Sequence, residues 1–259
     1  MEETSIEFNG RIFPIFWDNH LNSKRQLISI TKIYCLSMNN KFTDIWKTRN
    51  KIQPTVMKDW VNSDWARGRN QFLTFLVRIK DKSLVEKIIE IQEGLSTIPC
   101  VDPFPKDYFH ITVKGCGFFA KSKEYEDDVS MESLQKIINR AKEVLQTFNE
   151  FDIFLSKLNV FSEVVLIEVY DDGKIGELNR GLQVIPEINK MEFDYPNLLP
   201  HISIAQFQNN QEFTRLIDSL EKMRDIEFGI VTIDSIKLVI AHLYKKYPKL
   251  ETIHTFRLK

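Results

Sequence analysis

The chain has 259 residues, 43% hydrophobic and 12% aromatic, with a formal net charge of −1, enough apolar material for one sizeable domain or a domain with an extension. No run reaches the roughly eighteen apolar residues of a membrane span, and the acidic start Met1-Glu2-Glu3 is unlike a secretory signal. The near-zero charge gives no global field to collect a long polyanion, so the expectation is a cytoplasmic monomer with no membrane partner, acting on something small or on a terminus.

Residues 1–70 stand apart from the remainder of the chain. All four tryptophans, Trp17, Trp46, Trp60 and Trp65, lie there, and residues 41–69 hold seven Lys or Arg against three Asp. Such a stretch reads either as a side wall that stacks on bases or as an extension packed on the main domain through its aromatics, and packing is the expectation. Met57, Trp60, Val61 and Trp65 after Pro54 predict an amphipathic helix, which makes the extension partly helical.

From Gln71 the pattern becomes regular. Phe72 to Ile79 reads as a strand, and Leu84, Val85, Ile88, Ile89, Ile91 and Leu95 recur at helical spacing until Gly94 and Pro99 end the pattern. A strand from Phe109 stops at the Gly115-Cys116-Gly117 break. After an acidic loop (Glu124, Glu126, Asp127, Asp128), Ser130 caps a helix with Leu134, Ile137, Ile138, Ala141, Val144 and Leu145 on one face. Phe151–Val160 and Val164–Tyr170 read as strands, 175–188 as a helix, His201–Phe207 as a strand and 213–223 as a helix; 230–241 and 252–258 supply the last strands. This order predicts an α+β protein of two lobes of similar make-up.

Two of these strands share a pattern, His110-Ile111-Thr112-Val113 and His201-Ile202-Ser203-Ile204. In an extended chain each His projects with its hydroxyl residue from one face and the aliphatics from the other, so one face carries chemistry and the other core. One such strand in each lobe predicts a shared groove with two imidazoles. Alternation also puts Lys114 on the face of His110 and Phe207 on that of His201, while Gln206 points to the core; Tyr108, Phe118 and Phe119 flank the groove. His242 has no small hydroxyl residue two positions on, His254 is followed directly by Thr255, which points to the opposite face, and His20 sits in a polar stretch, so none of the three reproduces the pattern. Gly173 and Gly176 fit neither a Walker loop nor a dinucleotide fingerprint and read as a turn. Three cysteines, Cys35, Cys100 and Cys116, without CxxC spacing, argue against a disulfide framework or zinc ribbon; no sequence motif calls for a metal or cofactor.

The paired strands resemble the motifs of the 2H phosphoesterase superfamily, which includes 2′-5′ RNA ligase-like proteins and RNA 2′,3′-cyclic phosphodiesterases. The resemblance spans residues 71–259 and implies a bilobal domain, each lobe an antiparallel sheet with flanking helices, preceded by the extension 1–70. It implies a metal-independent hydrolysis of 2′,3′-cyclic phosphate ends of RNA or nucleotides. In it His110 and His201 serve as acid and base, Thr112 and Ser203 as donors to the phosphate, and Lys114, Tyr108 and Phe207 as substrate contacts. Where the family often carries Arg after the second motif, this chain has Gln206. The alternatives are a phosphodiesterase of cyclic di- or oligonucleotide signals and a non-catalytic module that binds nucleotides or RNA ends.

Overall fold

The computed structural model describes residues 40–56 and 60–259, and the backbone of two N-terminal strands, β1 (Thr4–Phe8) and β2 (Arg11–Ile15), which pair antiparallel. Trp17, His20, Cys35 and Met57 lie outside the described residues. Helix α1 (Asn40–Lys47) follows, then β3 (Gln71–Arg78), α2 (Lys82–Leu95), β4 (Val101–Pro103), β5 (His110–Phe119), β6 (Asp128–Val129) and α3 (Met131–Leu145). The chain continues through β7 (Phe151–Val160), β8 (Val164–Tyr170), α4 (Lys174–Gln183), β9 (His201–Phe207), α5 (Phe213–Lys222), β10 (Glu227–Ile233), β11 (Ser235–His242) and β12 (Lys249–Arg257). No helix among the described residues is long and apolar enough to cross a membrane.

Local signals explain most boundaries. The Asp81 carboxylate accepts from Leu84 N at 2.8 Å and caps α2, and Ser130 caps α3 by accepting from Ser133 N at 3.2 Å. Both helices bury the predicted stripe, Leu84, Ile88, Ile91 and Leu95 in α2 and Leu134, Ile137, Ala141 and Leu145 in α3. Helix α4 ends at Gln183, short of the expected Ile188, because Pro186 lacks an N–H and disfavours helical geometry in the residue before it. Strand β5 does not stop at its glycines. Gly117, at φ +136°, lets Asp127 O approach to a point only 2.3 Å from where a Cβ would sit, so the strand runs on to Phe119.

The strands form a mixed, mostly antiparallel sheet in the order β10-β7-β8-β9-β5-β3-β11-β12, with β4 on β9 and β6 alongside β5. Two four-stranded halves meet where β9 and β5 share a single residue pair, Ile111 with Ile202. Both isoleucines are fully buried in one core with Leu84, Ile88, Leu178 and Leu216 of the helices. The expected single strand over 230–241 is instead two. After Asp234 the chain leaves β10, at one outer edge beside β7, for β11 between β3 and β12 in the other half.

Both motif strands carry a bulge immediately after the hydroxyl residue. Opposite β3, Thr112 pairs with Leu76 but Lys114 pairs with Phe75; opposite β8, Ser203 pairs with Leu166 but Ala205 pairs with Val165. Val113 and Ile204 are the extra residues, and each inverts the alternation of the chain beyond it. Lys114 is consequently fully buried. Its ammonium meets Asp194 at 2.6 Å, Asn189 O at 2.6 Å and Gly115 O at 2.8 Å. Asp194 in turn accepts from Asn179 Nδ2 and Met191 N, which ties β5 to α4 and to the loop after it.

The described part of the predicted helix over 54–65 is not helical: residues 60–67 are turns, in keeping with Asn62, Ser63 and Asp64, and Ser63 Oγ accepts from Ala66 N at 3.2 Å. The rings are held by packing, Trp65 lying 4.8 Å from Phe72 and 4.7 Å from Phe118. Much of the positive excess of this stretch is matched across the structure, since Arg69 pairs with Asp127 at 2.6 Å and Asp128 at 2.7 Å, and Arg67 with Asp127 at 2.8 Å.

Breaking a buried ion pair from one side leaves the other charge desolvated, so Lys114→Met is expected to lower stability by about 3–5 kcal/mol. Urea unfolding measures this, and the double change Lys114→Met with Asp194→Asn should recover part of the loss. A single variant as stable as the parent would rule the pair out as a structural tie.

Candidate active site

His110 opens β5 and His201 opens β9. In each ring Nδ1 lies against the carbonyl two residues earlier, Tyr108 O at 2.5 Å and Leu199 O at 2.7 Å. A carbonyl only accepts, so Nδ1 carries the proton and Nε2 is left as the lone-pair nitrogen in both residues. Neither Nε2 has a hydrogen bond among the described residues. Each imidazole is also braced by the edge of an aromatic ring, Tyr108 at 4.9 Å and 87° for His110 and Phe161 at 5.0 Å and 72° for His201. The two rings are thus held by the same devices on two different strands.

The single pair Ile111 with Ile202 sets the cross-strand register. Continued by one residue on either side, that antiparallel register puts Thr112 across from His201 and Ser203 across from His110, all four on the face that the isoleucines leave. His110, Thr112 and His201 line a common cavity of about 340 Å³, with Tyr108, Phe161, Trp60, Trp65, Phe72 and Phe193 among its aromatic walls and Thr74 and Asn197 among its polar groups. Ser203 is half-buried and not part of that lining.

An apolar wall has electrostatic consequences. Burial, helped by the positive potential of His201 and Arg78, pushes His110 down to about 4 in spite of its hydrogen bond to Tyr108 O. Burial likewise lowers His201, against the opposing bond to Leu199 O. Charging an imidazole in this setting is unfavourable, so near neutral pH both are uncharged bases. Burial pushes the Tyr108 phenol up to about 12, which keeps it a neutral donor. Among the described residues no group of three or more His, Cys, Asp or Glu is placed to hold a metal ion.

Of the residues picked from sequence, the structure brings His110, Thr112, His201 and Tyr108 to one cavity and sets Ser203 in the matching strand position. It removes Lys114, whose ammonium is spoken for by Asp194, and it removes Phe207, which is buried in the core and meets Phe213 at 5.4 Å. The bulges at Val113 and Ile204 are the cause in both cases, because simple alternation fails beyond them. His242 pairs with Glu251 at 2.7 Å and His254 leans on Phe256 at 4.5 Å, both away from the cavity lining. Sequence reading missed Phe161, Phe193 and Asn197, which come from connections and have no periodic signal. Trp60 and Trp65 line the cavity as well as packing against the sheet, and the concentration of tryptophan was the clue to them.

The family model described as "2′-5′ RNA ligase superfamily" matches residues 82–243. Comparison with curated protein sequences gave no match. Among solved structures, TT0787 of Thermus thermophilus superposes with a TM-score of 0.54 at 17% identity, covering 72% of this chain and 97% of its own. LigT of E. coli superposes in its apo form with a TM-score of 0.53 at 15% identity, and in complex with 3′-AMP with 0.53 at 14%, in both cases over 74% of this chain and 99% of LigT. At these identities the structures establish a shared fold, and the family model covers both motif strands and the helices between them. The chain therefore belongs to the 2′-5′ RNA ligase superfamily, the 2H phosphoesterases.

Proposed function

We propose that the chain hydrolyses 2′,3′-cyclic phosphate ends of RNA or nucleotides, with His110 and His201 as the acid–base pair. The observation that carries the reading is the matched pair of imidazoles, each with Nδ1 fixed by a backbone carbonyl and Nε2 without a hydrogen bond among the described residues, lining a single cavity walled by aromatic rings. Residues 71–259 are the catalytic unit in this reading, its two four-stranded halves act as lobes, and residues 1–70 form an extension that contributes Trp60 and Trp65 to the wall. A nucleotide ligand is supported by LigT of E. coli, which has been crystallised with 3′-AMP, NADP+, ATP and phosphate.

The reaction proceeds by in-line displacement. One imidazole takes a proton from water as its oxygen forms a bond to phosphorus; on the other side the P–O bond to a ribose oxygen breaks, and that oxygen receives a proton from the second, protonated imidazole. Thr112 and Ser203 donate to the non-bridging oxygens as charge builds there. No step needs a metal. The acid must be charged although its surroundings disfavour that, and the arriving phosphodiester anion reverses the balance because an opposite charge nearby favours the imidazolium. Substrate binding therefore takes up a proton.

Incubation with excess chelator and a panel of cyclic mononucleotides, cyclic dinucleotides and RNA with a 2′,3′-cyclic end tests the reading. Turnover of the cyclic ends is expected; loss of activity restored by a divalent ion would point to metal chemistry instead. His110→Ala and His201→Ala should each lower kcat by at least the ~10²-fold typical of losing an acid–base partner, while His254→Ala changes it little.

The pH dependence has a definite sign. The base must be deprotonated and the acid protonated, and both groups are lowered from 6.5 in the free protein, so the kcat/KM bell is expected to centre below pH 6.5. The bound anion raises the acid, which moves the alkaline limb of kcat to higher pH than that of kcat/KM. A kcat/KM bell centred above neutrality would contradict the neutral imidazole pair.

Base stacking on an aromatic wall is worth about 1–3 kcal/mol, so Trp60→Ala should raise KM roughly five- to a hundredfold with a smaller change in kcat. A loss confined to thermal stability would assign Trp60 to packing alone.

A further inference from the structure

Arg78 is the last residue of β3 and pairs directly with His110 on β5, so the two side chains leave the sheet on the same face. That face is the groove face: back along β3 at period two, Thr74 and Phe72 line the cavity. Through β11 the same face carries Lys237, opposite Leu76, and then Ala241, opposite Phe72 and again in the cavity wall. Arg78 and Lys237 are not in that wall. They sit at the opposite end of β3 and β11, Arg78 level with His110 and Lys237 level with Thr112, and the exposed Lys80 adds its positive field at Lys237.

Arg78 differs from the other part-buried arginines. Arg49 meets Glu221 at 2.7 Å, Arg69 meets Asp127 at 2.6 Å and Arg224 meets Glu168 at 2.5 Å. Arg78 has no ion pair among the described residues, and its Nη1 is shut away from solvent with no hydrogen-bond partner. Asp107 is the acidic group whose field it feels, without direct contact. Lys237 donates to Thr255 Oγ1 at 3.2 Å, with Asp234 its acidic neighbour. A half-buried guanidinium without a counter-charge is unfavourable, and an anion supplied from outside balances it. A guanidinium beside an ammonium suits a phosphate oxygen.

We propose that Arg78 and Lys237 form an anion subsite next to the histidine pair that holds the phosphate of the adjoining nucleotide, so that the substrate is an oligonucleotide end and not a free cyclic mononucleotide. The inference rests on the phosphodiesterase reading and adds to it a direction. The scissile phosphate lies between His110 and His201, and the strand leaves past Arg78.

The test compares kcat/KM on 2′,3′-cyclic AMP and on a trinucleotide with a 2′,3′-cyclic end for the parent, Arg78→Met and Lys237→Met. The parent should prefer the trinucleotide. Arg78→Met is expected to lose roughly ten- to a hundredfold on the trinucleotide, mainly in KM, and at least ~tenfold less on the mononucleotide, as for one charge-assisted contact. Each variant should also flatten the log–log salt dependence of trinucleotide KM by about 0.7. Because Nη1 has no partner to lose, the melting temperature of Arg78→Met should match or exceed that of the parent. Equal losses on both substrates would put Arg78 on the scissile phosphate, and no loss on the trinucleotide would remove the subsite; either overturns the proposal. A parent that cleaves neither substrate, yet binds a 3′-phosphorylated trinucleotide more tightly than 3′-AMP with the preference lost in Arg78→Met, would overturn the phosphodiesterase reading while upholding the subsite.

Discussion

The site depends on one point of backbone pairing, Ile111 with Ile202, where two four-stranded halves of the sheet meet. Each isoleucine is committed to the core beneath the helices, and strand alternation then forces its flanking residues to the other side. His110, Thr112, His201 and Ser203 are on the groove face because Ile111 and Ile202 are not. A slip of one residue in either strand would bury a histidine and expose an isoleucine. The large apolar core on the far side therefore fixes the register on which the polar face relies.

The same alternation is then cut off at equal points in the two strands. Bulges at Val113 and Ile204 end the polar face after one His and one hydroxyl, and the residues beyond return to the interior. The consequence for charge is considerable. Lys114 becomes the cation of a buried tie to Asp194, and Arg67 and Arg69 are matched by Asp127 and Asp128. What faces the cavity is mostly aromatic and neutral, so both imidazoles are lowered and their basic nitrogens stay available. Arg78 stands out against this pattern as a half-buried cation that has no carboxylate partner among the described residues.

A low-dielectric site of this kind also explains why the histidines are so firmly held. The backbone carbonyls of Tyr108 and Leu199 and the edges of Tyr108 and Phe161 fix tautomer and ring plane before any ligand arrives. An imidazole held in this way has little to reorganise when charge develops next to it, which is where preorganised groups contribute most.

The sequence by itself determined the elements with strong periodicity and the residues whose neighbours constrain them. Helices α2 and α3, the Ser130 cap of α3, strands β7, β8 and β9, and the four polar positions of the two motifs follow from apolar spacing, from capping chemistry and from alternation across two or three residues. Only the tertiary structure decided what alternation cannot carry across a bulge, and so Lys114 and Phe207 were lost from the groove. It also divided 230–241 at Asp234, where no Gly or Pro marks the break, because β10 and β11 find their partners at different places in the sheet. The turns at 60–67 won over a helical pattern because Trp65 is held by Phe72 and Phe118 and Arg69 by Asp127 and Asp128, partners distant in the chain. Arg78 reaches His110 through strand pairing, and Phe161 reaches His201 from the turn between β7 and β8, relations between segments that no local pattern encodes.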